Sequence, residues 1–308
     1  MIKLGNTVSV KGHYILEKYD AKTNKLKQVL EFDNVILNQI FDALYTSNEY
    51  YRDFEIVLGT GTSTPLPTNT DLDNKIVSAR CNVNKLYSNS APDYAVANKY
   101  STRFNAGDIN NTITEIGLRV NLDGYITASR SLILDNNGNP TSLTVAENEY
   151  LDVSYILTYY PNLTETTGTF ELDGVTYEYL NKPINVTNIS LNFRGNGYLG
   201  NNLNLRLSDN NTPVDITTAL SSSSNVGSIS RSTYITGTYK QRFQVTLELN
   251  QGNFDTGICS VTVHSGFIAT NWNRITFTPK LPKDNTCQMT FHFESPQITQ
   301  YTPPSTGD

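Results

Sequence analysis

The sequence predicts a mainly β protein, in which an N-terminal antiparallel β domain with one short helix is followed by a β-sandwich domain. Three observations lead to this fold class. Segments of alternating polar and apolar residues recur along the 308-residue chain, and clusters of Asn, Gly and Ser separate them. Tyrosine, which favours strands, occurs 19 times against a single tryptophan. Helical periodicity is confined to one segment of the first half.

The bulk composition narrows the classes of function. Charged residues make up 17% and apolar residues 38% of the chain, which suits turn-rich β structure better than a helical cytosolic enzyme. The net charge of −6 argues against a surface dedicated to nucleic acid, because such a surface needs a basic patch. No apolar stretch has the length of a membrane span, and the segment after Met1 lacks the apolar run of an export signal.

The first half alternates strands with one helix. Ile36, Ile40 and Leu44 recur every four residues, which predicts a helix at 34–45 packed on a sheet. The dipeptide Asp-Gly at 123–124, between two alternating segments, is typical of a hairpin. The predicted strands of this half lie at 8–18, 26–33, 54–58, 76–86, 94–104, 113–120, 125–134 and 150–160.

A change of pattern near residue 162 predicts a domain boundary. Beyond it, helical periodicity is absent and short strands alternate with polar turns, which is typical of a β-sandwich. We therefore predict a β domain at 1–161, a β-sandwich at 162–300 and a flexible tail at 301–308. The predicted strands of the second half lie at 176–180, 186–193, 203–207, 243–249, 259–264, 274–279 and 286–293.

The segment Gly59-Thr60-Gly61 begins like a phosphate-binding loop, but the pattern stops there. No third glycine and no Gly-Lys-Ser/Thr follow it. Pro65 also blocks the helix whose N-terminus would hold a phosphate. We therefore predict that the chain binds no nucleotide cofactor.

Histidines and cysteines do not form a metal-binding pattern. The three histidines, His13, His264 and His292, are isolated among strand residues, and none has a partner at metal-ligand spacing. Three cysteines without a Cys-x-x-Cys pair predict neither a zinc site nor a disulfide framework. Cys259 and Cys287 could pair, but we expect small buried thiols. The sequence thus predicts no metal and no cofactor.

Three carboxylates are the candidates for catalysis. Glu147, Glu149 and Asp152 could serve a glycosidase, provided that two of them lie roughly 5–10 Å apart across a sugar. They fit turn and exposed-strand positions equally well, and no Gly-x-Ser-x-Gly motif accompanies them. We therefore predict that the protein is not an enzyme and assign no catalytic residue, with a polysaccharide depolymerase as the catalytic alternative.

A carboxylate and a guanidinium lie in two strands that the turn at 121–124 joins. Glu115 and Arg130 stand at similar distances from this turn, which places them approximately opposite each other. We predict a structural cross-strand ion pair, with an exposed Glu115 on an edge strand as the alternative. Gly117 indicates a bulge or a close approach of another part of the backbone.

The order of several segments resembles that of a family of viral proteins. The first set is similar to the N-terminal region of structural proteins of tailed bacteriophages, of the tail-fibre, baseplate and neck-associated kinds. The second set is similar to the closing strands of the same proteins, and residues 165–270 match neither set. The first set comprises 33–38, 59–62, 70–74, 113–118, 128–133, 139–145 and 149–155, and the second comprises 275–283 and 289–293.

This resemblance implies a component of a virion. The expected role is structural, in a phage tail, neck, collar or baseplate, with residues 1–161 docking to the particle. The expected partners are other copies of the chain, as a trimer or a ring, and neighbouring virion proteins, but neither nucleic acid nor a membrane. Such a protein would be made in the host cytoplasm without a signal peptide and would reside in the virion.

A receptor- or glycan-binding tail-fibre tip is the alternative function. Tyrosine-rich sandwiches can stack aromatic rings on the sugars of a host surface. Sugar platforms rely on tryptophan, however, and this chain has only one. The candidate glycan or interface aromatics are Tyr177, Tyr179, Tyr198, Tyr234, Tyr239 and Trp272.

Overall fold

The chain forms two compact units. The N-terminal unit contains residues 10–88, 96–159 and 300–308, and the C-terminal unit contains residues 1–9, 89–95 and 160–299. The computed structural model describes residues 1–5, 7–46, 53–87, 90–122, 124–188, 205–210, 214–215, 227–264 and 272–301.

The main division between the units falls between residues 159 and 160, next to the predicted boundary. The predicted domain at 1–161 also contains residues 89–95 and the first nine residues, but both segments belong to the C-terminal unit. Ile2 pairs with Phe293, and both Ile2 and Leu4 are buried in the apolar core of that unit. Two apolar residues are too few to show an alternating pattern, which explains the difference. Most of the predicted tail at 301–308 lies outside the described residues.

Strands make up most of the described chain, which confirms the mainly β fold class. One α-helix, α1 (Asn38–Thr46), occurs among the described residues, and none of the helices there has both the length and the apolar character of a membrane span. The strands up to residue 160 are β1 (Ile2–Lys3), β2 (Thr7–Asp20), β3 (Leu26–Asp33), β4 (Val35–Ile36), β5 (Phe54–Gly59), β6 (Lys75–Arg80), β7 (Asn82–Tyr87), β8 (Val96–Phe104), β9 (Asn111–Ile113), β10 (Glu115–Asn121), β11 (Tyr125–Leu132), β12 (Leu143–Val145) and β13 (Glu149–Tyr160). The later strands are β14 (Thr166–Leu172), β15 (Val175–Ile184), β16 (Leu205–Ser208), β17 (Ser228–Arg231), β18 (Arg242–Leu247), β19 (Ile258–His264), β20 (Trp272–Leu281), β21 (Met289–Glu294) and β22 (Gln297–Gln300).

The described strands form five sheets. Two have the strand orders β4-β11-β10-β5-β6 and β22-β2-β13-β8-β7, the second with β3 beside β2. Strands β9 and β12 form a small two-stranded sheet. The remaining two have the orders β1-β21-β18-β17 and β14-β15-β20-β19-β16. Strand β1 is parallel to β21, whereas the hairpin neighbours, such as β10 and β11, are antiparallel.

Buried tyrosines form much of the core of the N-terminal unit. The ring of Tyr14 on β2 lies 4.7 Å from that of Tyr155 on β13, and Tyr100 on β8 lies 4.4 Å from Phe54 on β5. The hydroxyl of Tyr14 is hydrogen-bonded to the Ser129 hydroxyl of β11 at 2.8 Å. Burial raises the pKa of Tyr155 to about 12, which keeps its hydroxyl neutral. Tyrosine thus fills this core while its hydroxyl remains able to find a polar partner.

One apolar core joins the two sheets of the C-terminal unit, as in a β-sandwich. Inward-facing residues from every second position of β18, β20 and β21 meet there. Its buried members are Ile2, Leu4, Tyr177, Leu205, Phe243, Val245, Leu247, Ile258, Val261, Val263, Ile275, Phe277, Leu281, Phe291 and Phe293.

The helix begins later than the predicted 34–45. Val35–Ile36 forms β4, which pairs with β11, and α1 starts at residue 38. Ile36 is therefore buried from a strand, whereas Ile40 and Leu44 lie on the buried face of the helix. A strand of two residues before a helix leaves the apolar spacing unchanged, so the sequence pattern does not reveal it.

The predicted strand at 76–86 is in fact two strands in different sheets. Strand β6 pairs with β5, whereas β7 pairs with β8. Cys81 stands between them, and its backbone N–H donates to the carbonyl of Phe54 at 2.8 Å. Burial raises the pKa of the Cys81 thiol to about 12. The alternating pattern continues through the crossing, which is why the sequence predicts one strand.

Further differences concern polar segments. The predicted strand at 186–193 begins with a 3-10 turn at Val186–Asn188, and its other residues lie outside the described part of the chain. The edge strands β14 and β17 escape prediction because they consist mostly of small and polar residues. All three cysteines are free thiols, and Cys287 is exposed, so the expectation of a buried thiol is wrong there.

Candidate functional site

A long loop covers one face of the sheet β4-β11-β10-β5-β6. This segment, residues 60–74, follows β5 and leads into β6, and we call it the clamped loop. Leu72 is buried and packs against Gly117. A Cβ added at Gly117 would lie only 2.5 Å from the Leu72 Cδ1 atom. The carbonyl oxygen of Ser129 lies 2.8 Å from the same position, so the close backbone approach predicted at Gly117 is present, and the Leu72 side chain adds to it. Beneath the loop lie the side chains of Glu115 and Arg130.

Glu115 and Arg130 form an ion pair in which both side chains have no exposed surface. The Arg130 Nη2 and Nε atoms lie 3.0 and 3.1 Å from Glu115 Oε2. The sequence predicts this pair, but the register is diagonal and not directly opposite. Arg130 faces Gly117 across the ladder, and Glu115 faces Leu132. Residues two apart on one strand share a face, so the long arginine side chain reaches its partner.

The Glu115 carboxylate binds the backbone of the clamped loop. Its Oε1 atom accepts hydrogen bonds from the N–H groups of Gly61 at 2.9 Å and Asn74 at 2.8 Å. Its Oε2 atom accepts the N–H of Asp73 at 3.1 Å. A carboxylate can accept several such bonds, and a charged acceptor makes each of them stronger than a neutral one. The two ends of the loop are thus tied to one buried side chain.

The Arg130 guanidinium binds the middle of the same loop. Its Nη2 atom lies 2.7 Å from the carboxylate of Asp73 and donates to the Ser63 hydroxyl at 3.0 Å. Its Nη1 atom donates to Asn69 Oδ1 at 3.1 Å. Hydrogen bonds from Ser63 lower the pKa of Asp73, and Arg130 adds to this effect, so the carboxylate stays ionised. Each of the three nitrogen atoms of the buried guanidinium therefore has a hydrogen-bond acceptor.

The Gly-Thr-Gly segment has a structural explanation. A Cβ at Gly61 would overlap the Glu115 carboxylate and the Cβ of Asp73. A Cβ at Gly59 would lie 2.6 Å from both the carbonyl oxygen of Asn74 and Glu115 Oε1. Glycine is required at these positions because the buried carboxylate occupies the side-chain space. The segment therefore accommodates an internal anion, contributed by Glu115.

The outward side of the clamped loop is exposed and held in one conformation. Leu66 is 53% exposed at the tip of a turn, between two prolines that restrict the backbone. The N–H of Leu66 donates to Asn69 Oδ1 at 2.7 Å, the atom that also accepts from Arg130. The exposed leucine is therefore connected to the buried ion pair through one amide side chain. A loop fixed in this way loses little conformational entropy when a partner binds it.

The predicted aromatic residues do not form one platform. Tyr177 is 4% exposed and packs in the core of the C-terminal unit, where its ring lies 5.5 Å from that of Phe170. Tyr179 is on the same face of β15 and packs against the same core. Strand alternation puts both rings inside, so an exposed sugar-binding role for Tyr177 is wrong. Tyr198 lies outside the described residues.

The other three aromatic candidates lie in two separate places in the C-terminal unit. Trp272 begins β20 and is partly exposed, with the guanidinium carbon of Arg206 5.3 Å from its ring. Tyr234 and Tyr239 lie between β17 and β18, which belong to the other sheet. The Tyr234 hydroxyl accepts the backbone N–H of Tyr239 at 3.2 Å. These side chains support a loop and a sheet face in two separate places.

His13 and His292, the two histidines whose side chains the structure describes, have different surroundings. His13 Nδ1 lies 2.8 Å from a carboxylate oxygen of Asp33 on the neighbouring strand. His292 is exposed on β21, opposite Gln244, and the side chain of His264 lies outside the described part. In the described ranges, His, Cys, Asp and Glu side chains form no group of three that could hold a metal.

Two of the three candidate catalytic carboxylates have structural partners. Asp152 forms a bidentate pair with Arg103, in which both N–O distances are 2.6 Å. Glu149 lies 2.9 Å from the ammonium of Lys27 and accepts the N–H of Ala146 at 3.0 Å. Burial would raise the pKa of Glu149, but these two contacts, together with the Lys18 ammonium 3.6 Å away, outweigh it and hold the pKa below its usual value. Such a carboxylate is ionised near neutral pH.

The depressed pKa of Glu149 makes stability depend on pH. In the unfolded chain its pKa returns to about 4.3, so the unfolded state binds more protons than the folded state below that value. The stability contributed by Glu149 is therefore present above about pH 4.3 and is lost as the pH falls through the lower folded pKa. Glu149→Gln should flatten the acid side of a urea-denaturation pH series. Glu147→Gln is the matched control, since Glu147 is exposed, and an equal flattening there would contradict the assignment.

Comparison of the chain with protein-family models, curated proteins and solved structures finds no match. The function therefore has to be inferred from the chain's own features. The most distinctive of these is the clamped loop on its buried ion pair.

Proposed function

We propose that the chain is a structural component of a bacteriophage tail, neck, collar or baseplate. In this role it assembles with itself and attaches to neighbouring virion proteins. The ordered segments at 33–155 and 275–293 support the proposal through their resemblance to such proteins. The mainly β fold is compatible with it, although a fold alone does not determine a function.

The observation that carries the proposal is the clamped loop. Charged side chains are rarely buried completely, because removing them from water costs several kcal/mol unless they are fully paired. Here Glu115 and Arg130 are both buried, and most of their hydrogen bonds go to the loop and not to the strands. The arrangement fixes a solvent-exposed surface, which is what a permanent attachment site requires.

Leu66 is the apolar centre of this surface. Exposed loops on a rigid support are where binding residues concentrate. A leucine fixed between polar neighbours such as Thr64 and Thr68 can enter a pocket on a partner and leave a hydrated rim. We assign attachment to neighbouring virion proteins to this face of the loop.

The proposal is tested on virus particles grown with variants of the chain. The wild-type protein is expected in purified particles by mass spectrometry, in a copy number that matches a closed ring or trimer. Leu66→Asp should reduce its incorporation at least about ten-fold, since a charge cannot enter an apolar pocket without a large desolvation cost. Its thermal unfolding should be unchanged, because Leu66 contributes little to the core.

The matched control is Leu26→Asp. Leu26 is 45% exposed in the same unit, at the start of β3, and lies outside the clamped loop. Its replacement should leave incorporation at the wild-type level. Absence of the wild-type protein from purified particles would refute the function, and equal incorporation of the two variants would refute the role of the loop.

A further inference from the structure

A polar cleft opens on the C-terminal unit. It has a volume of about 520 Å³ and lies between the loop before β19 and the segment that follows β20. This is within the size range of small-ligand sites, but most of its lining side chains are polar. The polar cleft is lined by Asn253, Phe254, Asp255, Thr256, Gly257, Lys280, Pro282, Lys283, Asp284 and Asn285.

Lys283 is the unusual member of this lining. The residue is only 4% exposed, and its ammonium donates to Asn253 Oδ1 at 2.8 Å and to the carbonyl oxygen of Asp284 at 2.6 Å. Both acceptors on these bonds are neutral. Within the described ranges, no carboxylate oxygen lies within 4.0 Å of the ammonium. A buried cation usually has an ion-pair partner, and among the described residues this one has only the longer-range attraction of the Asp284 carboxylate.

A second ammonium in the cleft is in the same situation. Lys280 donates to the Thr256 hydroxyl at 2.9 Å and to the carbonyl oxygen of Asp209 at 2.5 Å. It too has no carboxylate within 4.0 Å in the part of the chain that the structure describes. These hydrogen bonds fix both ammonium groups in place without neutralising them. The cleft therefore presents two positioned positive charges to a ligand.

The remaining lining limits the ligand to one with few negative charges. Asp255 and Asp284 also line the cleft, and the hydrogen bonds from Thr286 lower the pKa of Asp284 and keep it ionised. A densely charged ligand such as a polyphosphate would be repelled by these carboxylates. A ligand with one carboxylate and several hydroxyls fits better, because carboxylates and the amide of Asn285 can bind hydroxyl groups.

We propose that the polar cleft binds a carboxylate-bearing sugar, a hexuronic acid residue of an acidic polysaccharide. The ligand carboxylate binds Lys280 and Lys283, and its hydroxyls bind Asp255 and Asn285. The partly buried ring of Phe254, which packs on the core, forms an apolar wall for the sugar. This site goes beyond the proposed structural role and does not depend on it.

The test is a titration of the full chain with trigalacturonate, followed by calorimetry. The matched ligand is the fully methyl-esterified trimer, which keeps the hydroxyls and loses the charge. The acid trimer is expected to bind at least about ten-fold more tightly than the ester, because the ester lacks the carboxylate that makes charge-assisted hydrogen bonds with the two lysines. Lys280→Gln is expected to weaken acid binding by a similar factor without unfolding the protein, since Lys280 is exposed.

The control variant is Lys3→Gln, which removes the same charge from an exposed lysine of the same unit outside the cleft. It should bind the acid trimer as the wild type does. Lack of binding, equal binding of ester and acid, or equal losses in both variants would overturn the proposal. Competition by inorganic phosphate at the same concentration as the trimer would overturn the sugar assignment. Absence of the protein from virions would bear on the structural role and leave this result unaffected.

Discussion

Arg130→Met is expected to lower the free energy of unfolding by about 3–5 kcal/mol, the usual cost of removing one partner of a buried ion pair. The replacement keeps the apolar stem of the side chain but leaves the fully buried Glu115 carboxylate without its cation. It also leaves Asn69 and Ser63 without a donor from the sheet. Urea denaturation of the wild type and the variant measures the difference.

The control for this variant is Arg103→Met. Arg103 makes a shorter bidentate pair with Asp152, yet its side chain is 52% exposed. Exposed ion pairs contribute about 1 kcal/mol or less to stability. Arg103→Met should therefore lower the free energy of unfolding less than Arg130→Met does, although the Arg103–Asp152 distances are shorter. A double variant, Glu115→Gln with Arg130→Met, should cost less than the sum of the two single changes by at least about 1 kcal/mol. Equal effects of Arg130→Met and Arg103→Met would contradict the account.

Gly61→Ala is expected to lower the free energy of unfolding by about 2–3 kcal/mol, although it adds a single methyl group. That methyl overlaps the Glu115 carboxylate and the Asp73 Cβ, neither of which can move without breaking hydrogen bonds to the loop. In an open loop, the same change would be neutral or stabilising, because alanine lowers the conformational entropy of the unfolded chain. Chemical denaturation distinguishes the two signs directly.

Thr62→Ala is the neighbouring control for the glycine variant. Thr62 is exposed on the outward side of the clamped loop. Its replacement should change the free energy of unfolding by less than about 0.5 kcal/mol, as is usual for surface positions. A Gly61→Ala protein as stable as the wild type would show that the carboxylate does not fill the space that the structure assigns to it.

The ion pair shows how far sequence reasoning reaches in this chain. The hairpin turn and strand alternation predict that Glu115 and Arg130 share a face, and they do. They do not predict the loop above the pair, because the contacts join positions 61–74 to positions 115 and 130 through backbone N–H groups. Every residue except proline has a backbone N–H group, so these donors cannot be recognised from residue types. The glycines were the one available signal, and they resemble the start of a phosphate-binding loop.

For the aromatic residues, the sequence predicts the fold class but not which rings are buried. Composition predicts a tyrosine-rich β protein, and the tyrosines of the N-terminal unit fill its core. The face of a strand that each ring occupies depends on the register. The sequence does not predict that Tyr177 points inward, and only the folded structure shows that its ring is buried. The sequence does not predict the polar cleft either, because Lys280 and Thr256 are 24 residues apart in the chain and Lys283 and Asn253 are 30 residues apart. Such clusters arise from loop packing, which has no sequence period.

Amide hydrogen exchange of the clamped loop tests the central claim most directly, namely that the loop is a rigid surface anchored on the buried ion pair. The N–H groups of Gly61, Asp73 and Asn74 are predicted to exchange as slowly as the core strands, through global unfolding alone. In Arg130→Met they should exchange through local opening while the strands of the C-terminal unit stay protected. Fast exchange of these three amides in the wild-type protein, at the rate of the exposed Thr62, would contradict the account.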